Sequence, residues 1–346
     1  MRSSTRLPAA AAVLATAVLA GCGGSSDSTS DTGSSSADNA KTKLSLVAYS
    51  TPQVVYDEAG PAFGKTTAGA GVGVVGSYGA SGDQSRSVLN GADADVVAFS
   101  LEPDMTKLVK GGFVGSDWNA GPNKGFVSNS VATFVVRKGN PKGIKTWDDL
   151  IKPGVKVITP NPFSSGSAKW NLLAGYGAKS DGGKNPAAGL AYVKTLLTKN
   201  VKQQPASGRD ASSAFTSGDA DVLISYENEA ITLQQKGAKV DYVTPDDTIL
   251  IQNPIAVTAK SKHPAQAKAF VDYLLSKPGQ EIFAKHGYRP VDDAVLKANA
   301  KTFPDPSGLF TIDDLGGWSK VNDEFFDPDK GSIAKIEQDA GVSTSK

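Results

Sequence analysis

Short apolar strands alternate with helical segments along most of this chain, and four of the strand-to-helix joints are built from Ser, Thr and Gly. Strands are expected at Leu44 to Tyr49, Val72 to Ser77, Asp95 to Phe99, Val131 to Arg137, Val155 to Ile158, Asp221 to Ser225, Val240 to Val243 and Ile255 to Thr258. Helices are expected near Ser167 to Tyr176, Ala187 to Thr198 and Pro264 to Leu275. Strands separated by helices of this length pair in parallel, so the fold class is α/β.

The chain has 346 residues. At roughly 150 residues per domain that is room for about two. An internal echo supports two similarly built lobes. Asn90-Gly91-Ala92-Asp93-Ala94-Asp95-Val96-Val97 matches Ser217-Gly218-Asp219-Ala220-Asp221-Val222-Leu223. In each, a helix stops at Gly and an Asp-led strand begins. The expected division is a first lobe of residues 44–127 plus 253–346 and a second of residues 128–252, with crossings near Ser128 and Asn253.

The four joints are Tyr49-Ser50-Thr51-Pro52, Gly79-Ala80-Ser81-Gly82, Ser164-Ser165-Gly166-Ser167 and Ser207-Gly208-Arg209-Asp210. In a parallel sheet, ligands sit outside the carboxyl ends of the strands. Those ends face helix N-termini, whose first N–H groups lack an intrahelical acceptor and carry the positive end of the helix dipole. Small residues let an anion approach them, and hydroxyls add donors. Ser and Thr also cap helices that bind nothing. Four such joints in one chain are what point toward an oxyanion.

Charge and chemistry narrow the choice. There are 36 Lys and Arg against 35 Asp and Glu, a formal net charge of +1. A nucleic-acid partner would need a basic face, and none is indicated. With one Cys, Cys22, and two His, His263 and His286, the chain lacks the parts for zinc or Cys-His chemistry, and no cofactor is expected. A secreted serine hydrolase stays as an alternative because Ser-rich loops follow strands. Yet Pro162-Phe163-Ser164-Ser165-Gly166 is not the Gly-x-Ser-x-Gly elbow. A structural or adhesive surface protein is the third reading.

Arg2 and Arg6 precede an apolar run from Leu7 to Ala20, too short to span a membrane and matched to an export signal over residues 1–21. The run ends in Leu19-Ala20-Gly21-Cys22, which resembles the lipobox of bacterial lipoproteins. That resemblance implies a lipidated Cys22, a membrane anchor and a place on the outer face of the cytoplasmic membrane. Gly23 to Thr42 is mostly Gly, Ser, Thr, Asp and Ala, so residues 22–43 are expected to form a tether with a reach of roughly 25 Å.

Asn140-Pro141-Lys142-Gly143-Ile144-Lys145-Thr146-Trp147-Asp148-Asp149-Leu150-Ile151-Lys152-Pro153-Gly154-Val155, continuing to Thr159-Pro160-Asn161-Pro162, closely resembles the sulfate-binding proteins of bacterial sulfate/thiosulfate ABC importers. So do Ser165-Gly166 with Trp170, Glu227-Asn228-Glu229-Ala230, Tyr288-Arg289-Pro290 and Gly316-Gly317-Trp318. The resemblance implies a type II periplasmic-binding-protein fold, monomeric, closing on sulfate and delivering it to a membrane permease driven by an intracellular ATPase. It implies sulfate held by neutral donors: Ser50 through its backbone N–H, Ser81, Ser165, Gly166, Ser167, and Gly208 just before Arg209.

Tyr226 falls where the family's sulfate binders place a Trp and its thiosulfate binders a Phe. Asp83 and Asp210 stand beside the site where the family has Lys and Gly. A carboxylate facing the cleft would repel a dianion and accept the proton of hydrogen phosphate. Sulfate is therefore the first expectation, thiosulfate the second and phosphate the third.

Overall fold

The computed structural model describes residues 39–344. The expected export signal, Cys22 and the tether as far as residue 38 lie outside the described residues.

The first half is built from β1 (Thr42–Tyr49), α1 (Gln53–Gly64), β2 (Val72–Gly79), α2 (Ser81–Leu89), β3 (Val96–Ala98) and α3 (Glu102–Lys110). β1 pairs in parallel with β2 on one side and β3 on the other. Along β1 the side chains alternate faces as a pleated strand requires. Leu44, Leu46 and Ala48 pack with Phe63, Phe270 and Phe283, whereas Val47 packs with Val97, Met105 and Leu108 on the opposite face.

The long strand β4 (Phe126–Arg137) then carries the chain into a second half. There follow α4 (Trp147–Leu150), β5 (Val157–Ile158), α5 (Gly166–Lys179), α6 (Pro186–Thr195), β6 (Val201–Gln203), α7 (Gly208–Ser217), β7 (Val222–Tyr226), α8 (Glu227–Gln235) and β8 (Val240–Val243). β5 lies parallel between β6 and β7. Val222 and Ile224 face one core with Trp147 and Trp170, and Leu223 faces another with Phe215.

β9 (Asp247–Val257) returns the chain. It runs antiparallel to β4 over Leu250 to Pro254, then antiparallel to β3 over Ile255 to Val257. The strand order is β2-β1-β3-β9-β4-β7-β5-β6. β4 and β9 are thus the two crossovers, and at their meeting Ser128 lies opposite Asn253, with Ser128 Oγ donating to Asn253 Oδ1 at 3.3 Å. This is the two-lobed α/β arrangement expected.

Sequence pattern placed only the last part of β9 in a strand. Pro254 cannot donate to a ladder, and it sits opposite a register shift between Phe126 and Ser128. A bulge is where a central strand tolerates proline.

The chain ends with α9 (Pro264–Leu275), α10 (Lys277–Lys285), α11 (Asp293–Ala298), β10 (Gly308–Phe310), α12 (Gly317–Val321) and α13 (Ser332–Asp339). α9 and α10 cover the first half through Phe270 and Phe283. The last segment covers the second: Trp318, Phe325, Phe326, Ile333 and Ile336 pack with Trp170 and Tyr176. α5 is consequently enclosed by sheet and C-terminal helices, which explains its apolar residues on every side.

Candidate functional site

The four Ser- and Gly-rich joints converge. Tyr49, Ser50 and Thr51 after β1, Gly79, Ala80 and Ser81 after β2, Ser165 and Ser167 at the start of α5, and Gly208 at the start of α7 line one small cavity. Ser100, between β3 and α3, completes it. All ten lining residues are uncharged. Its volume is about 10 Å³, room for about one water-sized group.

Glycines allow this approach. A side chain on Gly208 would lie 3.2 Å from both Ser167 Oγ and Thr51 Cγ2. One on Gly82 would lie 3.1 Å from the Ser164 carbonyl. One on Gly166 would overlap Ser100 Oγ and the Leu101 side chain. The N-termini of α2, α5 and α7 and the β1–α1 joint therefore stand within van der Waals reach of one another across the two lobes.

Local hydrogen bonds fix each joint. Asn161 holds the β5–α5 loop, its carbonyl accepting from Ser165 N–H at 2.9 Å and its Oδ1 from Phe163 N–H at 2.7 Å. Ser164 Oγ donates to the Ala206 carbonyl at 2.8 Å, tying the loop to the start of α7. Ser165 and Ser167 share a hydroxyl hydrogen bond of 2.7 Å. Ser207 caps α7, accepting from Asp210 N–H at 3.1 Å and donating to the Asp210 carboxylate at 2.7 Å. Arg209 reaches the other lobe, where its guanidinium donates to the Ser50 carbonyl and, at 2.5 Å, to Gln53 Oε1.

The two acids singled out in the sequence stand away from the cavity wall. Asp83 pairs with Arg86 on the exposed side of α2, and Asp210 belongs to the α7 cap. A carboxylate that does bond to the cavity lining is Asp104, 4% exposed on α3. Its Oδ2 accepts from Ser81 Oγ at 2.7 Å and its Oδ1 pairs with Lys107 at 3.0 Å. Sequence reading missed Asp104 and Ser100. The available signal was a fifth joint of the same kind, Phe99-Ser100-Leu101-Glu102-Pro103, in which a serine follows a strand and Pro103 opens a helix.

Tyr226 ends β7 behind the wall and is not among the lining residues. It is 1% exposed, and burial pushes its phenol well above the ordinary tyrosine range. The next residue, Glu227, is forked by Arg289, Nε donating to Oε2 at 2.7 Å and Nη2 to Oε1 at 3.1 Å. Arg289 also exchanges backbone hydrogen bonds with Asn129 on β4. The Glu-Asn-Glu and Tyr-Arg-Pro motifs thus meet at the crossover. Burial raises the Glu227 carboxyl while the Arg289 charge pulls it back. Neither histidine touches the cavity serines: His286 pairs with Glu58 at 2.8 Å and His263 precedes α9.

A larger hollow of about 430 Å³ lies between α6 and the C-terminal helices. Asp314, Lys320 and Glu324 line it, and none of the Ser- and Gly-rich joints reaches it.

Residues 44–289 match the family described as "Bacterial extracellular solute-binding protein". The chain is 41% identical to the sulfate-binding protein of Synechococcus elongatus, over 96% of each chain. It is 39% identical to the sulfate-binding protein of Escherichia coli, covering 82% of this chain and 90% of that one. It is 34% identical to the thiosulfate-binding protein of Pseudomonas aeruginosa, covering 81% and 88%. Among solved structures, the sulfate-binding protein SubI from Mycobacterium tuberculosis is similar at 52% identity, with a TM-score of 0.81 over 83% of this chain and all of that one. With its two lobes and type II periplasmic-binding-protein fold, the chain belongs to the bacterial extracellular solute-binding protein family, alongside the sulfate-binding proteins of these organisms.

Proposed function

We propose that this chain captures sulfate outside the cytoplasm and hands it to an ABC permease, converting nothing itself. One observation carries the reading: several helix N-termini and five serines close on one cavity whose lining holds no charged residue. A dianion there is held by oriented N–H and O–H dipoles. Hydrogen phosphate brings a proton that a donor-only wall leaves unpaired, which discriminates against it. The proposed donors are Ser50, Ser165, Ser167 and Gly208 lining the cavity and Gly166 between the two α5 serines, with Ser81 in the lining as well and Tyr226 behind it. Arg209 stands beside it, and Asp83 and Asp210 are held away from it by Arg86 and by the α7 cap. Thiosulfate, which shares the tetrahedral shape, is the second choice, and the relatives include binders of both.

The cavity has room for about one water-sized group, so sulfate needs the joints to stand further apart than here, and a hinge at β4 and β9 supplies that movement. Hinge closure then completes the donor shell, driven by the anion's preference for the closed form. The Arg209 bonds to Ser50 and Gln53 form only when the lobes are together. The lobe division that fits is residues 44–127 with α9 and α10 against residues 128–252, the segment from β10 onward accompanying the second lobe. We further propose that lipid on Cys22 anchors a monomer to the membrane. Metabolic labelling with a fatty acid, abolished by Cys22→Ser, tests the anchor.

Crystals grown with sulfate test the site. Tetrahedral density among Ser81, Ser165, Ser167 and Gly208 is expected. Density in the larger hollow alone would overturn the assignment.

A further inference from the structure

We infer that Ser100 is an oxyanion-binding residue and that Tyr226 acts through it. With the anion bound, the Tyr226 phenol donates to Ser100 Oγ, leaving the Ser100 proton for the captured anion. The inference rests on the cavity being the anion site and adds a residue no motif had marked.

Ser100 Oγ and Tyr226 OH are both fully buried and, among the described residues, without a hydrogen-bond partner. A buried hydroxyl is costly to leave unpaired, so these two, with the cavity-lining Tyr49 hydroxyl as a third, call for an explanation. The Ser100 hydroxyl is one of the groups that bear on the Tyr226 phenol, and the hydrogen bond between them is open in this structure. Ser100 lines the cavity and Tyr226 stands behind it. One arrangement satisfies both: Tyr226 O–H to Ser100 Oγ, and Ser100 O–H to the anion.

Ser100 is fixed from three directions. Its N–H donates to Ser81 Oγ at 3.1 Å. Its carbonyl accepts from Trp170 Nε1 on α5 at 2.8 Å and from Asn253 Nδ2 on the crossover at 3.1 Å. Its hydroxyl lies where a side chain on Gly166 would be, against the N-terminus of α5. A backbone held by both lobes and the crossover, carrying an unpaired hydroxyl into the cavity, is a placed donor.

The same hydrogen bonds remove the competing donor. A serine hydroxyl has one proton, and Ser81 gives its own to Asp104 at 2.7 Å. Ser100, one hydrogen bond away, keeps a proton to give, as do Tyr49 and Thr51 at the β1–α1 joint. The relay stays neutral, because a buried phenol keeps its proton, and each O–H polarises the next.

Calorimetry of the whole chain with sulfate tests this, with unliganded thermal unfolding recorded for every variant. Ser100→Ala should weaken sulfate about 10- to 100-fold, the usual range for a hydrogen bond to a charged group. Tyr226→Phe should weaken it less, and should cost nothing further in the Ser100→Ala background. Ser100→Cys, close in size and a poor donor, should behave like Ser100→Ala and stands in if that variant unfolds early. Unchanged affinity in both Ser100 variants overturns the proposal. So does a Tyr226→Phe loss that is equal in the two backgrounds. Ser165→Ala separates the two levels: if it weakens sulfate while the Ser100 variants do not, only the relay fails, and if it also changes nothing, the cavity is not the site.

Discussion

The Ser81 hydroxyl donates to the buried Asp104 carboxylate at 2.7 Å, directly behind the wall of the cavity. A negative charge so close to a captured dianion opposes binding, and the Lys107 partner at 3.0 Å offsets it in part. Asp104→Asn keeps an acceptor for Ser81 and removes the charge. Sulfate affinity should rise severalfold by calorimetry. A weaker affinity would mean that the charge helps to position Ser81 for the anion.

Gly166 is constrained by space. A methyl there would overlap Ser100 Oγ and lie 2.6 Å from Leu101 Cδ2. Gly166→Ala should push α5 away from the β3–α3 joint, at a stability cost of about 1–3 kcal/mol typical of overpacking. Sulfate affinity should fall tenfold or more. A variant with native affinity would show that the two joints need not touch.

Arg209 spans the lobes through Ser50 and Gln53 while remaining exposed itself. Arg209→Ala should speed sulfate release more than it slows capture, because the contact exists only after closure. Stopped-flow fluorescence separates the two rates. An unchanged off-rate would remove Arg209 from the closing contacts.

Much of this arrangement was legible in the sequence, and the reasons differ by feature. Strand-helix alternation showed in β7 and in the second half of β1 because those residues are buried and apolar, and in β2 through its Val72-Gly73-Val74-Val75 run. The four joints showed because Ser and Gly cluster at helix starts. The joint at Ser100 escaped because β3 is only three residues long and the helix after it opens on Glu102-Pro103, a polar beginning without a glycine. The Ser81–Asp104 bond joins residues 23 apart on two helices, and no local pattern encodes such a pair. The attachment of Phe325, Phe326 and Ile336 to the second-lobe core is also long-range. Their apolar spacing marks them for burial without naming the surface that buries them.

Glu337 on α13 predicts a pH dependence unrelated to the anion. It is fully buried, and Gln204 Nε2 donates to its Oε2 at 2.9 Å. Glu337 Oε1 and Gln204 Oε1 are both buried without a partner, and a proton on the carboxyl would join them. Burial pushes the group up to about 7. A raised folded-state value stabilises the protein fully below the unfolded value of about 4.3, and the contribution is lost as pH rises to about 7. Thermal stability should therefore fall between pH 5 and pH 7 by the equivalent of a few kcal/mol. Glu337→Gln, which carries permanent N–H donors, should flatten that part of the profile. A fall of the same size in the variant would point to another group.

Titration calorimetry of the whole chain with sulfate, thiosulfate and hydrogen phosphate tests the central claim, that neutral helix ends and hydroxyls capture a fully ionised oxyanion. Sulfate should bind tightest, thiosulfate next and hydrogen phosphate weakest, with the order lost in Ser165→Ala combined with Gly166→Ala. A preference for hydrogen phosphate, or sulfate affinity untouched by those two substitutions, would contradict it.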